Sequence, residues 1–183
     1  MPWEASFSNW AGLLPILEAA RTIVARDMVD ALAWRCALDA STPGDDYARI
    51  QFTQRHSQQF PLLVIQPATS TPELLGAGGV RQRHVFDVEV YLTKSLTPAT
   101  SAAGVEDLVR ELVRYADATT MALMSAPDAD WVANLPDDAD AGRFEVFCTN
   151  YVFGQLQQSR EAAGEYLHSV AFELQVQLIE AQR

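Results

Sequence analysis

The chain has 183 residues and a mass of 20.2 kDa, with 49% hydrophobic and 20% charged residues. A chain of this mass exposes roughly 29,000 Å² unfolded and roughly 8,800 Å² folded, so about 70% of its surface is buried in one self-standing core, and wholesale disorder is excluded. The formal charge of −11 and a pI near 4.5 exclude a protein that grips nucleic acid through its phosphates.

No segment reaches the roughly 18 consecutive apolar residues of a membrane helix. The longest candidate, Leu13 to Val24, is interrupted by Pro15, Glu18 and Arg21. Met1 to Ser8 has no basic residue ahead of an apolar run, so no secretory signal is expected, and the protein is expected to be soluble and cytosolic when made. Two cysteines, Cys36 and Cys148, cannot build a disulfide framework and read as small buried thiols.

In chain order, residues 1–12 form an N-terminal arm carrying Trp3, Phe7 and Trp10, and residues 13–183 form a single α+β domain. The spacing predicts a helix over Leu13–Leu38, with Pro15 in its first turn. Its expected buried stripe runs through Leu13, Ile16, Leu17, Ala20, Ile23, Val24, Asp27, Met28, Ala31 and Trp34, most of them apolar. Ser41 to Asp46 ends that helix, and Tyr47 to Gln59 is polar and has no clear periodicity. Leu62 to Ile65 reads as a short strand covered on both faces. Ala68 to Gly79, with Pro72 and three glycines, reads as a long flexible loop.

His84 to Leu92 is a half-buried strand, with Phe86, Val88, Val90 and Leu92 on one face and Asp87, Glu89 and Tyr91 on the other. A helix is expected over Ala102–Ala116, then a separate helical turn within Asp117–Ser125, then a solvated acidic loop over 126–142. Two long strands, Phe144–Gln157 and Glu165–Ala181, close the chain as a hairpin around Ser159–Gly164. In the first of them Phe144, Val146, Cys148 and Val152 share one face, and Phe147, Tyr151 and Phe153 the other. A strand with two apolar faces requires a second cover, either a helix of the same chain or another subunit. The expected fold is a four-stranded antiparallel or mixed sheet with helices on one side, in the order αββαββ.

The residue types offer little for catalysis. His56, His84 and His168 are scattered and no H-x-x-x-H or C-x-x-C spacing exists, so no metal or other cofactor is expected. The segment from Asp138 to Thr149 lacks the bidentate glutamate and the placed glycine of a calcium loop. Gly76-Ala-Gly78-Gly79 is not followed by a lysine–serine pair, and no serine sits in a nucleophile elbow. Paired carboxylates in a cleft need no sequence spacing and stay open, but nothing in the sequence points to an enzyme. Arg81-Gln-Arg83-His84 is a small basic cluster at a loop exit, read as a solvated strand end or as a contact for an acidic neighbour.

This order of elements resembles the tail terminator, or tail-completion, minor tail proteins of long-tailed bacteriophages and gene transfer agents. The stretches that carry the likeness are the helix Leu13–Leu38, the proline-flanked Phe60-Pro-Leu-Leu-Val-Ile-Gln-Pro67, the strand His84–Leu92, the helix around Val105–Val113 and the closing hairpin ending in Val170–Leu178. The aromatic arm and the acidic loop depart from that pattern. The resemblance implies a structural virion protein of the tail and neck, made in the host cytoplasm. Such proteins form a ring, usually a hexamer, on the head-proximal end of the tail tube. The ring stops tube polymerisation and meets the head-side connector, and DNA passes its lumen without sequence-specific binding. Its partners would be itself, the major tail tube protein and the connector. The surface expected to make these contacts comprises Phe147, Tyr151, Phe153 and Tyr91, then Leu74 and Leu75, Arg81 and Arg83, and Trp3 and Trp10 of the arm. The alternatives are another neck part, such as a head–tail stopper or tube-like subunit, and a cytosolic α+β ligand-binding module or small enzyme.

Overall fold

The computed structural model describes residues 12–53, 59–75, 79–95, 101–132, 143–155, 157–158 and 165–179. Helix α1 spans Leu13–Leu38, strands β1, β2 and β3 span Arg49–Gln51, Leu62–Leu75 and Gly79–Ser95, and helices α2 and α3 span Ser101–Ser125 and Asp128–Val132. Strands β4, β5 and β6 then span Arg143–Phe153, Gln157–Gln158 and Glu165–Ile179. The fold is α+β. The sheet runs β1-β2-β3-β6-β4, with β5 also paired to β6. All pairs are antiparallel except β1 with β2, which are parallel. Among the described residues no helix is long and apolar enough to cross a membrane.

The alternation expected in β3 and β6 is present. Phe86, Val88, Val90 and Leu92 lie opposite Leu174, Phe172, Val170 and His168, and all are buried. This face carries α1 and α2, whose Ile16, Val24, Met28, Leu108, Leu112 and Leu123 complete one core. Leu62 to Ile65 is buried on both faces, as its continuous apolar run implies.

Several expectations need correction. The stretch read as a loop over 68–79 is mostly strand: β2 continues to Leu75 and pairs with β3 as far as Gly79, with one register shift between Pro67 and Thr69. Pro67 and Pro72 pair with Phe86 and Gln82 of β3, and β1 covers β2 only at Leu62–Val64, so among the described residues the prolines lie on a stretch of β2 with a strand on one side only, where proline is tolerated. The featureless Tyr47–Gln59 contains β1, a three-residue parallel edge too short to show a period. The second helix is one unbroken element through Ser125. No proline or glycine follows Gly104 within it, and the Thr119 hydroxyl bonds back to the Tyr115 carbonyl at 2.7 Å without opening the helix.

Trp34 is 53% exposed rather than core. The buried row of α1 advances by fours, through Ile16, Ala20, Val24, Met28, Leu32 and Cys36. Each four-residue step overshoots a full turn by about 40°, so the buried side migrates around the axis and leaves Trp34 behind. The helix ends with Ala40 in the left-handed region (φ 53°), where the Ser41 N–H reaches the Cys36 carbonyl at 3.0 Å.

The acidic stretch after α2 is not simply solvated. Asp130 accepts from Arg26 at 2.7 Å, tying α3 to α1, and Asp128 accepts from the Phe144 N–H at 3.1 Å, fixing the start of β4. Between them Trp131 is fully buried and stacks on Phe144. Asp137, Asp138 and Asp140 lie outside the described residues.

Candidate functional site

Strand β4 ends the sheet, and among the described residues nothing pairs with its outer edge. Its first half alternates regularly. Phe144, Val146 and Cys148 stand opposite Leu178, Val176 and Leu174 on the helix face, while Glu145, Phe147 and Thr149 stand on the other. The register then shifts between Thr149 and Val152, so Asn150 and Tyr151 together oppose Phe172. Asn150 takes φ 57°, a left-handed conformation that asparagine tolerates better than most residues, and the strand bulges there.

The bulge inverts the faces beyond it. Tyr151 stacks on Phe172 with ring centroids 5.0 Å apart, and its hydroxyl lies 2.5 Å from Thr120 Oγ1 on α2. Phe153 stands opposite Val170, also on the helix side, and Val152 opposite Ala171 on the side away from the helices. The expected placement of Tyr151 and Phe153 on the outer face, and of Val152 on the inner one, is therefore reversed. The two-sided apolar character survives the correction. Phe147 (46% exposed) and Val152 (63%) project from one face, and Tyr151 (41%) and Phe153 (47%) from the other.

Cys148 sits under this edge beside Thr120. Burial pushes its thiol up to about 12, so it stays protonated and unreactive at neutral pH. Cys36 is buried in the core.

The other expected surface residues are scattered. Tyr91 lies on the face of β3 away from the helices, with its hydroxyl donating to Glu89. Arg83 is exposed on that same face and donates to Gln175 Oε1 at 2.6 Å, so it is engaged within its own sheet. Arg81 lies mid-strand opposite Glu73, and Leu74 and Leu75 end β2 opposite Val80 and Gly79; their positions are strand register, not loop. His84 is neither a solvated strand end nor a surface contact. It is buried on the core face, with Nδ1 2.9 Å from Ser70 Oγ. Its even position in line with Phe86 and Val88 already carried that signal. Trp3 and Trp10 lie outside the described residues.

The sequence reading missed a second feature. A cavity of about 390 Å³ opens between the end of α1, the Thr42–Gly44 turn, Lys94 at the end of β3 and one face of α2. A dense polar frame holds it. Asp39 accepts from Arg114 at 2.9 Å and Ser41 at 2.5 Å, with Arg35 at 3.4 Å; these partners hold its carboxyl down to about 2. Arg35 also bonds Asp117 at 2.7 Å. The Tyr115 hydroxyl donates to the Asp45 carbonyl, and Tyr47 donates to Thr119, whose own hydrogen goes to Tyr115. Burial raises both phenols, which stay protonated as donors.

No protein-family model matches the chain, and no curated protein matches it.

Proposed function

We propose that the protein is a structural, ring-forming subunit of a phage-type tail that caps the tube at its head-proximal end. The observation that carries this reading is β4, an open sheet edge with large apolar side chains half-exposed on both of its faces. An isolated molecule gains nothing from such an edge, which is an aggregation hazard unless a specific neighbour covers it. Covering Phe147, Tyr151, Val152 and Phe153 is worth roughly 1 kcal/mol apiece. The opposite end of the sheet is a different strand, β1, so edge contacts between copies are heterologous and close only as a ring or run on as a filament. The resemblance of its sequence pattern to tail terminators favours the ring in this reading. In this reading the subunit's work is recognition and geometry: the apolar edge joins copies, the tube end and the head-side connector bind the two rims, and the acidic composition keeps the lumen from holding DNA.

Sedimentation and negative-stain electron microscopy of the purified protein, alone and mixed with tail tube protein, test it. Rings, and tubes capped by them, are expected. A chain that stays monomeric and never associates with tubes overturns the reading. Phe147→Glu with Val152→Glu should abolish rings while the monomer keeps its fold.

A further inference from the structure

The apolar edge of β4 needs a surface to meet on the next copy, and α1 carries one. Among the described residues every exposed large apolar side chain stands on β4 or on α1, save Met124. Met124 follows Thr120 by one turn of α2, which places it beside Tyr151 and adds it to the β4 set. The two sets lie on opposite flanks. α1 packs over β2, whereas β4 packs under α2 and α3, and β3 and β6 separate the two strands. The far edge of the sheet is a poor strand to add to β4, because β1 has three residues and the open stretch of β2 carries Pro67 and Pro72.

The receiving surface is formed by the last two turns of α1. Leu32 and Cys36 are core there, and at about 100° per residue Trp34 stands on the far side of the helix from both. Leu38, one turn on, is 63% exposed. Ala33 and Ala37 are exposed beside them, so two tall side chains border two short ones in a shallow step that a strand edge can enter. The one cation of these turns, Arg35, reaches across to Asp117 at 2.7 Å and leaves the outer side apolar. Charge favours the match. Asp30, one turn before Trp34, and Arg143, which opens β4, are both exposed, and neither has an ion pair among the described residues. We infer, on the ring reading proposed above, that Trp34 and Leu38 of one copy receive the β4 edge of the next at Phe147 and Val152. A contact between unlike patches on opposite flanks repeats from copy to copy, and a closed ring uses each patch once and leaves neither in water.

Cysteine cross-linking tests it. The full chain carrying both Ala37→Cys and Val152→Cys is oxidised and read on a non-reducing gel, beside each single variant and the unsubstituted chain. The double variant should give a ladder of covalent oligomers ending at the ring, and the single variants none beyond the unsubstituted control. Dimers from either single variant would mean that like patches meet, and overturn the proposal. Separately, Trp34→Glu should abolish rings in the electron microscope and sediment as a monomer. At a dilution where both chains are monomeric it should melt within about 2 °C of the wild type, because Trp34 is already half-exposed. Trp34→Glu rings that persist, including rings that persist but no longer hold tubes, overturn the contact while the ring reading stands. A wild-type chain that forms no ring fails the ring reading, and the contact with it.

Discussion

Strands β4 and β6 run side by side, and both carry a row of large apolar residues, yet they do opposite things. In β6, Val170, Phe172, Leu174, Val176 and Leu178 are buried between neighbours on both sides. In β4 only Phe144 is fully buried, and its far half shows aromatic and aliphatic groups to solvent on two faces. The composition of a strand therefore does not state its role. What decides it is whether a strand has a partner on each side and whether its alternation runs unbroken. β6 is a scaffold because β3 pairs with it from Glu165 to Leu178 without a register shift, while β4 and β5 cover its other side. β4 is a surface because no described strand pairs with its outer side and the bulge at Asn150 spreads its apolar groups over both faces.

Four experiments sharpen or break this contrast. The largest effect is expected at the centre of β6, where Leu174→Ala leaves a cavity beneath both helices and should cost roughly 2–5 kcal/mol in a denaturant melt. A loss below about 0.5 kcal/mol would deny β6 its scaffold role. Next, Asn150→Val forces a β-branched residue into the left-handed region and should cost about 1–2 kcal/mol, whereas Asn150→Gly should be close to neutral. Equal effects of the two would mean that the bulge is not what turns β4. Phe147→Ala and Val152→Ala should each change monomer stability by no more than about 0.5 kcal/mol, while reducing association measured by sedimentation.

The smallest effect concerns pH. His168 opens the buried row of β6, and burial lowers its pKa below the ordinary value of about 6.5. Above that value the imidazole is neutral in both states and contributes no slope. Below it the unfolded chain takes up the proton more readily, so stability falls as pH drops from about 6.5 toward the lowered folded value. Melting temperatures recorded from about pH 8 to about pH 5 should show a decline that His168→Phe removes.

Much of the fold was legible because it depends on local period. The three- and four-residue steps of Leu13–Leu38 and Val105–Ala116 and the two-residue steps of His84–Leu92 and Val170–Leu178 each name an element and its apolar side. β1 was not legible, because three residues have no measurable period. The strand half of Ala68–Gly79 was hidden by proline and glycine, whose turn-forming habit lapses on an open edge. The candidate surface on β4 was legible in its residues but not in their faces. The cavity was not legible, because its lining comes from segments far apart in the chain.

The sequence by itself determined the α+β class, the two long helices, the alternating central strands and the presence of one strand too apolar for its place. Only the tertiary structure decided that Tyr151 leans on α2 while Val152 faces outward, that Trp34 leaves the core, and that Lys94 lines one cavity with Asp107 and Glu111. The reason is physical. A repeat of two or 3.6 residues is a property of the chain alone. The face a residue takes after a bulge, the drift of a buried stripe along a long helix, and the meeting of charges from three segments are set by the neighbours each element packs against.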